Sequence, residues 1–373
     1  MKYYIIAGEA SGDLHASNLI RELRKLDNKS HFRCWGGDLM SAQGAEIVKH
    51  YRDLAFMGFL EVLANLKTIL KNIEFCKKDL LEYAPDVLIL VDYPGFNLRI
   101  AEFAHQNNIK VVYYISPQIW AWKQSRVEKI KRFVDEMLVI LPFEKDFYQQ
   151  FNYEVEFVGH PLLDAINAHQ NADDLFRQNN SLNQQKIVAL LPGSRKQEIS
   201  SMLPLMLEAA SGFKNCQVVI AGAPSVPAAF YHQFIKGNEK LIQNKTYELL
   251  QHTDAALVTS GTATLETALF EVPQVVCYKG NLFSYYIARQ LIKVKYISLV
   301  NLIMDRVIVK ELIQSELNVE SLRLELDKLL YNESYRKEMK GSFKDLKDKL
   351  GGPGASERAA RLIDAKFGTR VIA

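Results

Sequence analysis

Two turns in the second half of the chain have the makings of an anion site. Leu190-Leu191-Pro192-Gly193-Ser194-Arg195 follows the apolar run Lys186-Ile187-Val188-Ala189 and precedes Ile199, Leu203, Leu207 and Ala210 at helical spacing. Such a strand-to-helix turn aims backbone N–H groups and a partial positive charge outward, and Arg195 adds a planar donor fork suited to phosphate. Ser260-Gly261-Thr262-Ala263-Thr264-Leu265-Glu266 repeats the arrangement. A carboxylate at Glu266, close to a phosphate site, suits ribose hydroxyls; the competing reading is a first-turn glutamate favoured by the helix dipole.

The first half carries candidates for proton transfer. Glu9, Ser11 and Asp13 follow a first apolar run, Asp92 and Asn97 another, and Ser116, Glu144 and His160 further ones. Asp92 is either a helix cap before Gly95-Phe96 or a partly desolvated carboxylate able to act as general base. His15, in the first turn of the first helix, reads as a surface histidine that could face the same site. Glu9 and His15 stand behind Asp92 as alternative bases. His160, between Gly159 and Pro161, suits a structural or ligand-binding role better than that of a base. Several familiar chemistries lack their motif. There is no Asp-x-Asp metal clamp, no GxxxxGK[ST] loop, no GxGxxG and no Gly-x-Ser-x-Gly elbow.

These residues need strands to carry them. Lys2–Ala7, Phe32–Trp35, Asp86–Val91, Val111–Ile115, Asp135–Leu141 and Val155–Val158 read as strands of a first α/β half. A polar stretch, Asn167–Gln185, reads as a linker, after which alternation restarts at Lys186–Leu191, Val218–Ala221, Ala255–Val258 and Val275–Tyr278. Val319–Leu350 is helical and charged; Gly351-Gly352-Pro353-Gly354 breaks it before a last helix, Ala355–Phe367. The expectation is an α/β protein of two Rossmann-like, doubly wound domains facing a cleft, at residues 1–168 and 169–345, with a helical tail at 346–373 packing back. Ligands collect at the carboxyl ends of parallel strands, so the cleft is the expected site.

The 373 residues are 48% hydrophobic and 24% charged, ample for two cores, and a net charge of +3 makes no electrostatic case for nucleic acid. Cys34, Cys76, Cys216 and Cys277 form no CxxC pair and read as reduced thiols of a cytoplasmic protein. The short apolar start of the chain does not read as a signal segment, and no stretch reads as a spanning helix. Residues Phe56–Phe75 read as one amphipathic helix. Its apolar positions Leu60, Val62, Leu63, Leu66, Ile69 and Leu70 lie on one face, with Lys67 and Lys71 interspersed. That face either packs in the core or, with the basic, aromatic segment Lys279–Lys295, seats the protein on an anionic membrane leaflet.

Longer strings resemble a known family. They include Gly8-Glu9-Ala10-Ser11-Gly12-Asp13, Asp92-Tyr93-Pro94-Gly95-Phe96-Asn97 and Ser116-Pro117-Gln118-Ile119-Trp120-Ala121-Trp122. Met57–Leu63, Pro142-Phe143-Glu144, Gly159-His160-Pro161, Leu191–Arg195, Ser260–Glu266 and Asn301 with Lys310–Gln314 extend them over most of the chain. Together they resemble the lipid-A-disaccharide synthases, inverting glycosyltransferases of the two-domain GT-B type. Asp38 and Val300 depart from the prolines common there. The resemblance implies transfer of diacylglucosamine from UDP to the 6-hydroxyl of diacylglucosamine 1-phosphate. The products are a β-1,6-linked disaccharide 1-phosphate and UDP, with no cofactor and no metal.

The resemblance further implies a peripheral place on the cytoplasmic face of the inner membrane, with a homodimer as a candidate assembly. Gly193, Ser194, Arg195, Ser260, Gly261, Thr262 and Glu266 would take UDP, and Asp92, Glu9 or His15 would supply the base. Ser11, Asn97, Ser116, His160, Asn301, Glu311 and Gln314 would meet the acceptor and sugar, and Leu60 to Leu70 the acyl chains or membrane. The alternatives are a UDP-sugar 2-epimerase of the same architecture and a non-catalytic nucleotide-sugar or lipid scaffold.

Overall fold

The computed structural model describes residues 1–53, 66–122, 124–169, 175–280 and 295–368. They form two compact units, Met1–Asp164 with Leu350–Ala373, and Ala165–Lys349.

The first unit is built on a parallel sheet of β1 (Lys2–Ala7), β2 (His31–Gly36), β3 (Glu46–His50), β4 (Val87–Val91), β5 (Lys110–Tyr114), β6 (Glu136–Val139) and β7 (Glu156–Phe157). Their order is β3-β2-β1-β4-β5-β6-β7. Ile5 of β1 lies opposite Cys34 on one side and Ile89 on the other. The inner strands β1, β4 and β5 are almost wholly buried, so each must read as a continuous apolar run rather than an alternating one.

Helix α1 (Ala10–Leu26) begins at the second residue after Gly8, earlier than the expected glycine turn through Asp13. Ser11 and Gly12 are therefore already helical. Asp13 is buried, and its carboxylate accepts the N–H groups of Gly37 (2.8 Å), Leu39 (3.1 Å) and Met40 (3.1 Å). It thus caps the short helix α2 (Asp38–Ala42) rather than facing a ligand. Helix α3 (Leu66–Tyr83) buries Ile73, Cys76 and Leu80, while Leu70 is 52% exposed. Leu60, Val62, Leu63 and the Leu66 side chain lie outside the described residues, as does most of Lys279–Lys295. Helix α4 (Pro94–Gln106) follows β4.

The second unit repeats the plan with β8 (Lys186–Leu191), β9 (Cys216–Gly222), β10 (Lys240–Gln243), β11 (Ala255–Thr259), β12 (Gln274–Tyr278) and β13 (Lys310–Ile313), ordered β10-β9-β8-β11-β12-β13. Its helices include α5 (Lys196–Ala210), α6 (Thr262–Leu269) and α7 (Leu299–Met304). The charged helical stretch after Val319 is two helices, α8 (Val319–Tyr331) and α9 (Glu333–Lys349). They part at Asn332, whose side chain accepts the Tyr335 N–H at 3.0 Å. Ile187, Ala189, Leu191, Val219, Ala256 and Val258 interdigitate in the core beneath the sheet.

The last helix, α10 (Ala355–Phe367), returns to the first unit and packs along α1. Asp164 caps it, accepting from the N–H groups of Gly354 (2.5 Å), Ala355 (3.3 Å) and Ser356 (2.8 Å).

Candidate active site

In each sheet the strand order reverses once, between β1 and β4 and between β8 and β11. At such a point successive connections leave on opposite faces and open a crevice beyond the carboxyl ends of the strands. The four strand-to-helix junctions bordering the two crevices hold Gly8–Asp13, Asp92–Asn97, Gly193–Arg195 and Ser260–Glu266.

Asp92 ends β4 in the left-handed region, with φ 44°, and Tyr93 follows it there with φ 47°. Each costs an L-residue roughly 1–2 kcal/mol, so the turn must be held. Asn97, fully buried on α4, donates from Nδ2 to the carbonyls of Val91 (3.2 Å) and Asp92 (2.8 Å). The buried Tyr113 phenol donates to the same Asp92 carbonyl at 2.5 Å. The Asp92 N–H reaches the carbonyl of Ile115, itself left-handed with φ 67°. Asn97, expected on the acceptor, thus spends its amide nitrogen on the backbone of this turn, while among the described residues its Oδ1 has no partner.

Asp92 is exposed to solvent, yet protein packed close around its carboxyl disfavours the charged form, and Glu9 adds like-charge repulsion. Together these push its pKa up to about 7. His15 differs from its expected surface position: it is buried, and desolvation lowers its pKa to about 4. Its ring meets that of His160 edge-on at 6.4 Å, and among the described residues its Nδ1 has no partner. His160 is also buried, its pKa lowered to about 3 by desolvation, and its Nδ1 accepts from the Leu162 N–H at 3.2 Å. The two rings form a neutral pair.

Ser11 is exposed on the first turn of α1, while Ser116 is buried. The Ser116 hydroxyl lies 2.8 Å from the Tyr148 hydroxyl. Glu144 is buried, and desolvation raises its pKa to about 7 against the hydrogen bonds it accepts. Those come from the N–H groups of Leu141 (2.9 Å) and Ile140 (3.2 Å) and from Trp120 Nε1 (3.2 Å). Glu144 thereby ties the loop after β6 to the Ser116–Trp120 loop after β5.

In the second unit, Gly193 has φ 109°, and a Cβ there would stand 2.6 Å from Glu198 Oε2. Glu198 curls under the turn and accepts the N–H groups of Ser194 (3.0 Å) and Arg195 (3.3 Å), closing a capping box at the start of α5. Two donors expected for an anion are therefore engaged by this carboxylate. Arg195 pairs with it through Nη1 at 3.0 Å while its side chain stays 55% exposed. At α6 the N–H groups of Gly261, Thr262 and Ala263 find no acceptor among the described residues, as at the open end of any helix. Ser260 Oγ donates to the Ile297 carbonyl at 3.3 Å. Glu266 accepts from the Tyr247 hydroxyl at 2.9 Å, and its pKa is raised by desolvation.

Asn301 and Glu311, expected on the sugar, are committed to the fold. Asn301 Oδ1 accepts the N–H groups of Ile308 (2.8 Å) and Val309 (3.0 Å), and its Nδ2 donates to the Val309 carbonyl and to Glu311 Oε1, both at 2.9 Å. Glu311 also accepts from the N–H groups of Ile297 and Ser298, each at 3.0 Å, and from Ser298 Oγ at 2.8 Å. Gln314 closes β13 with φ 53°, and among the described residues its buried Nε2 has no partner. Tyr113 and Tyr247, which bond the Asp92 carbonyl and Glu266, carry no signal in the sequence; Glu198 carried one, as an acid three residues past a helix N-cap.

The family model described as lipid-A-disaccharide synthetase matches residues 3–363. The lipid-A-disaccharide synthase of Syntrophus aciditrophicus is 41% identical over 364 residues, 95% of this chain and 95% of that one. That of Trichlorobacter lovleyi is 39% identical over 366 residues, 96% of each. The UDP-GlcNAc 2-epimerase from Neisseria meningitidis, solved bound to UDP-GlcNAc, superposes with a TM-score of 0.69 at 13% identity, over 97% of this chain and 99% of that one. The calicheamicin glycosyltransferase CalG4 gives 0.60 at 15% identity, over 100% and 99%. At such identities these two likenesses are of fold alone.

Proposed function

The chain belongs to the lipid-A-disaccharide synthase family, glycosyltransferases of lipid A biosynthesis, and from that premise we propose how its residues divide the work. The substrates are UDP-2,3-diacylglucosamine and 2,3-diacylglucosamine 1-phosphate. Asp92 takes the proton of the acceptor 6-hydroxyl as that oxygen attacks the anomeric carbon. The bond from that carbon to the diphosphate breaks, UDP leaves, and the linkage formed is β-1,6 with inversion. The observation that carries this reading is the Asp92 carboxyl, exposed at the end of β4 on a turn held left-handed at two successive residues; a pKa pushed up toward neutrality suits it to work as a general base. His15, buried and titrating near 4, is a weaker base, and Glu9 serves by raising the basicity of Asp92.

UDP is held in the second unit. The open N–H groups of α6 and the Arg195 guanidinium stabilise charge on the departing diphosphate, and Glu266 takes the ribose hydroxyls. Ser11, Ser116, His160 and Gln314 are kept as contacts to the acceptor and sugar; Asn301 and Glu311 act by holding residues 297–301 in shape. The chain works at the cytoplasmic leaflet. Among the described residues no helix is long and apolar enough to cross a membrane, and Leu70, one of the apolar positions expected to meet the membrane, is exposed.

A radiochemical assay tests the reaction. Labelled UDP-diacylglucosamine should release UDP only when the acylated glucosamine 1-phosphate is added. Epimerisation of the UDP-sugar without acceptor would replace this reading with the 2-epimerase one.

A further inference from the structure

A carboxylate at the end of a strand normally inherits its direction from that strand. Asp92 does not, because it and Tyr93 turn left-handed in succession. Both backbone polar groups of Asp92 are therefore fastened from neighbouring elements. Its N–H goes to the Ile115 carbonyl at 3.3 Å. Its carbonyl accepts two side-chain donors, Asn97 Nδ2 at 2.8 Å and the Tyr113 hydroxyl at 2.5 Å, which fill both lone pairs. Tyr113 lies on β5 opposite Leu90 of β4 and is fully buried. A buried phenol needs an acceptor, and the one it has is the carbonyl of the residue whose side chain is at issue.

We infer that Tyr113 is a positioning residue for the transfer reaction, its hydroxyl latching the left-handed Asp92 backbone so that the carboxylate points at the acceptor hydroxyl. This rests on the reading of Asp92 as base. Tyr113 touches no substrate and acts wholly through Asp92. Removing its hydroxyl leaves Asn97 as sole donor to that carbonyl, and the turn can relax toward ordinary backbone angles. The substrates bind as before, but the base is displaced.

The test is Tyr113→Phe in the intact chain, with folding followed by thermal melting. Misplacing a catalytic group by about an ångström costs up to about 10²-fold, so kcat should fall roughly 10- to 100-fold. KM for both substrates and UDP affinity should stay within about twofold. In an Asp92→Asn background, assayed in single turnover with enzyme in excess, adding Tyr113→Phe should change the rate less than about twofold, because the group it aims is gone. A Tyr113→Phe enzyme with unchanged kcat, a loss expressed in KM, or an equal loss in both backgrounds would each overturn the inference while leaving Asp92 in place. Near wild-type turnover by Asp92→Asn alone would instead remove the reading of Asp92 as base. Should Tyr113→Phe melt below the assay temperature, Asn97→Ala deletes the other donor to the same carbonyl and must show the same kcat-selective loss.

Discussion

The ring of Tyr93 lies directly over Gly8: a Cβ at position 8 would stand 2.5 Å from Tyr93 Cγ. The loop after β1 and the loop after β4 thus touch through a backbone too close for any side chain. Gly8→Ala must push the ring away, and the ring belongs to the residue that follows Asp92. We expect a stability loss of about 1–3 kcal/mol, as for other overpacked sites. Turnover should fall while UDP affinity is kept. Wild-type turnover by this variant would show that the two loops move independently.

Asp92→Asn keeps the shape and removes the proton acceptor. The rate should drop about 10²–10⁴-fold, the usual worth of a general base. In the wild-type enzyme kcat should fall as pH drops below about 7, where the raised carboxyl takes up a proton; the variant should lack that limb. Stability moves the other way. A carboxyl whose folded pKa exceeds its unfolded value disfavours folding once ionised, so the native protein loses stability as pH rises from about 4 through about 7. The melting temperature of Asp92→Asn relative to wild type should climb across that window.

Arg195→Ala should weaken UDP binding by about 1.5–3 kcal/mol in calorimetry, the range for a hydrogen bond to a charged group. Because Arg195 is paired with Glu198 in the free protein, part of the effect belongs to that pairing, and Glu198→Gln is the companion measurement. Unchanged affinity in Arg195→Ala would take the residue out of the nucleotide site.

Asn301→Ala should behave as a folding mutant first. It strips partners from the buried N–H groups of Ile308 and Val309 and loosens Glu311. Unsatisfied buried groups cost about 1–3 kcal/mol each, so denaturant titration should show a loss of at least about 2 kcal/mol. A variant of full stability with weakened sugar affinity would return Asn301 to the ligand.

Serine at Leu63, Leu66 and Leu70 tests the membrane face. Leu70 is already 52% exposed, and substitutions at exposed positions usually lie within about 0.5 kcal/mol. The triple variant should stay folded and lose binding to anionic vesicles. Unfolding would assign the face to the core.

What the sequence showed and what it hid follow from burial. Strands β1, β4, β5, β8, β11 and β12 are covered on both faces, so their apolar runs were plain. Strands β3, β10 and β13 are sheet edges, short and half exposed, and Glu46–His50, Lys240–Gln243 and Lys310–Ile313 carry no such run. The loops bordering the two crevices were legible because glycine, serine and acid cluster at strand ends. The duties within them were not. Whether Asp13 caps α2 or Asn301 holds Ile308 and Val309 depends on partners 24 or more residues away in one case and on a local fold-back in the other. The left-handed turn at Asp92 left no trace, since neither Asp92 nor Tyr93 is a glycine.

The fastening of α10 to Asp164 also bears on the order of synthesis. The first unit has two pieces separated by the whole of the second, which is one unbroken stretch. On the ribosome the sheet from β1 to β7 emerges early, but the face of α1 that α10 covers stays bare until residues 355–367 have left the exit tunnel. Residues 165–349 can complete their own core in the interval. The unit made first is thus closed last, and a message cut short after codon 349 forfeits the last helix of the first unit while sparing the second.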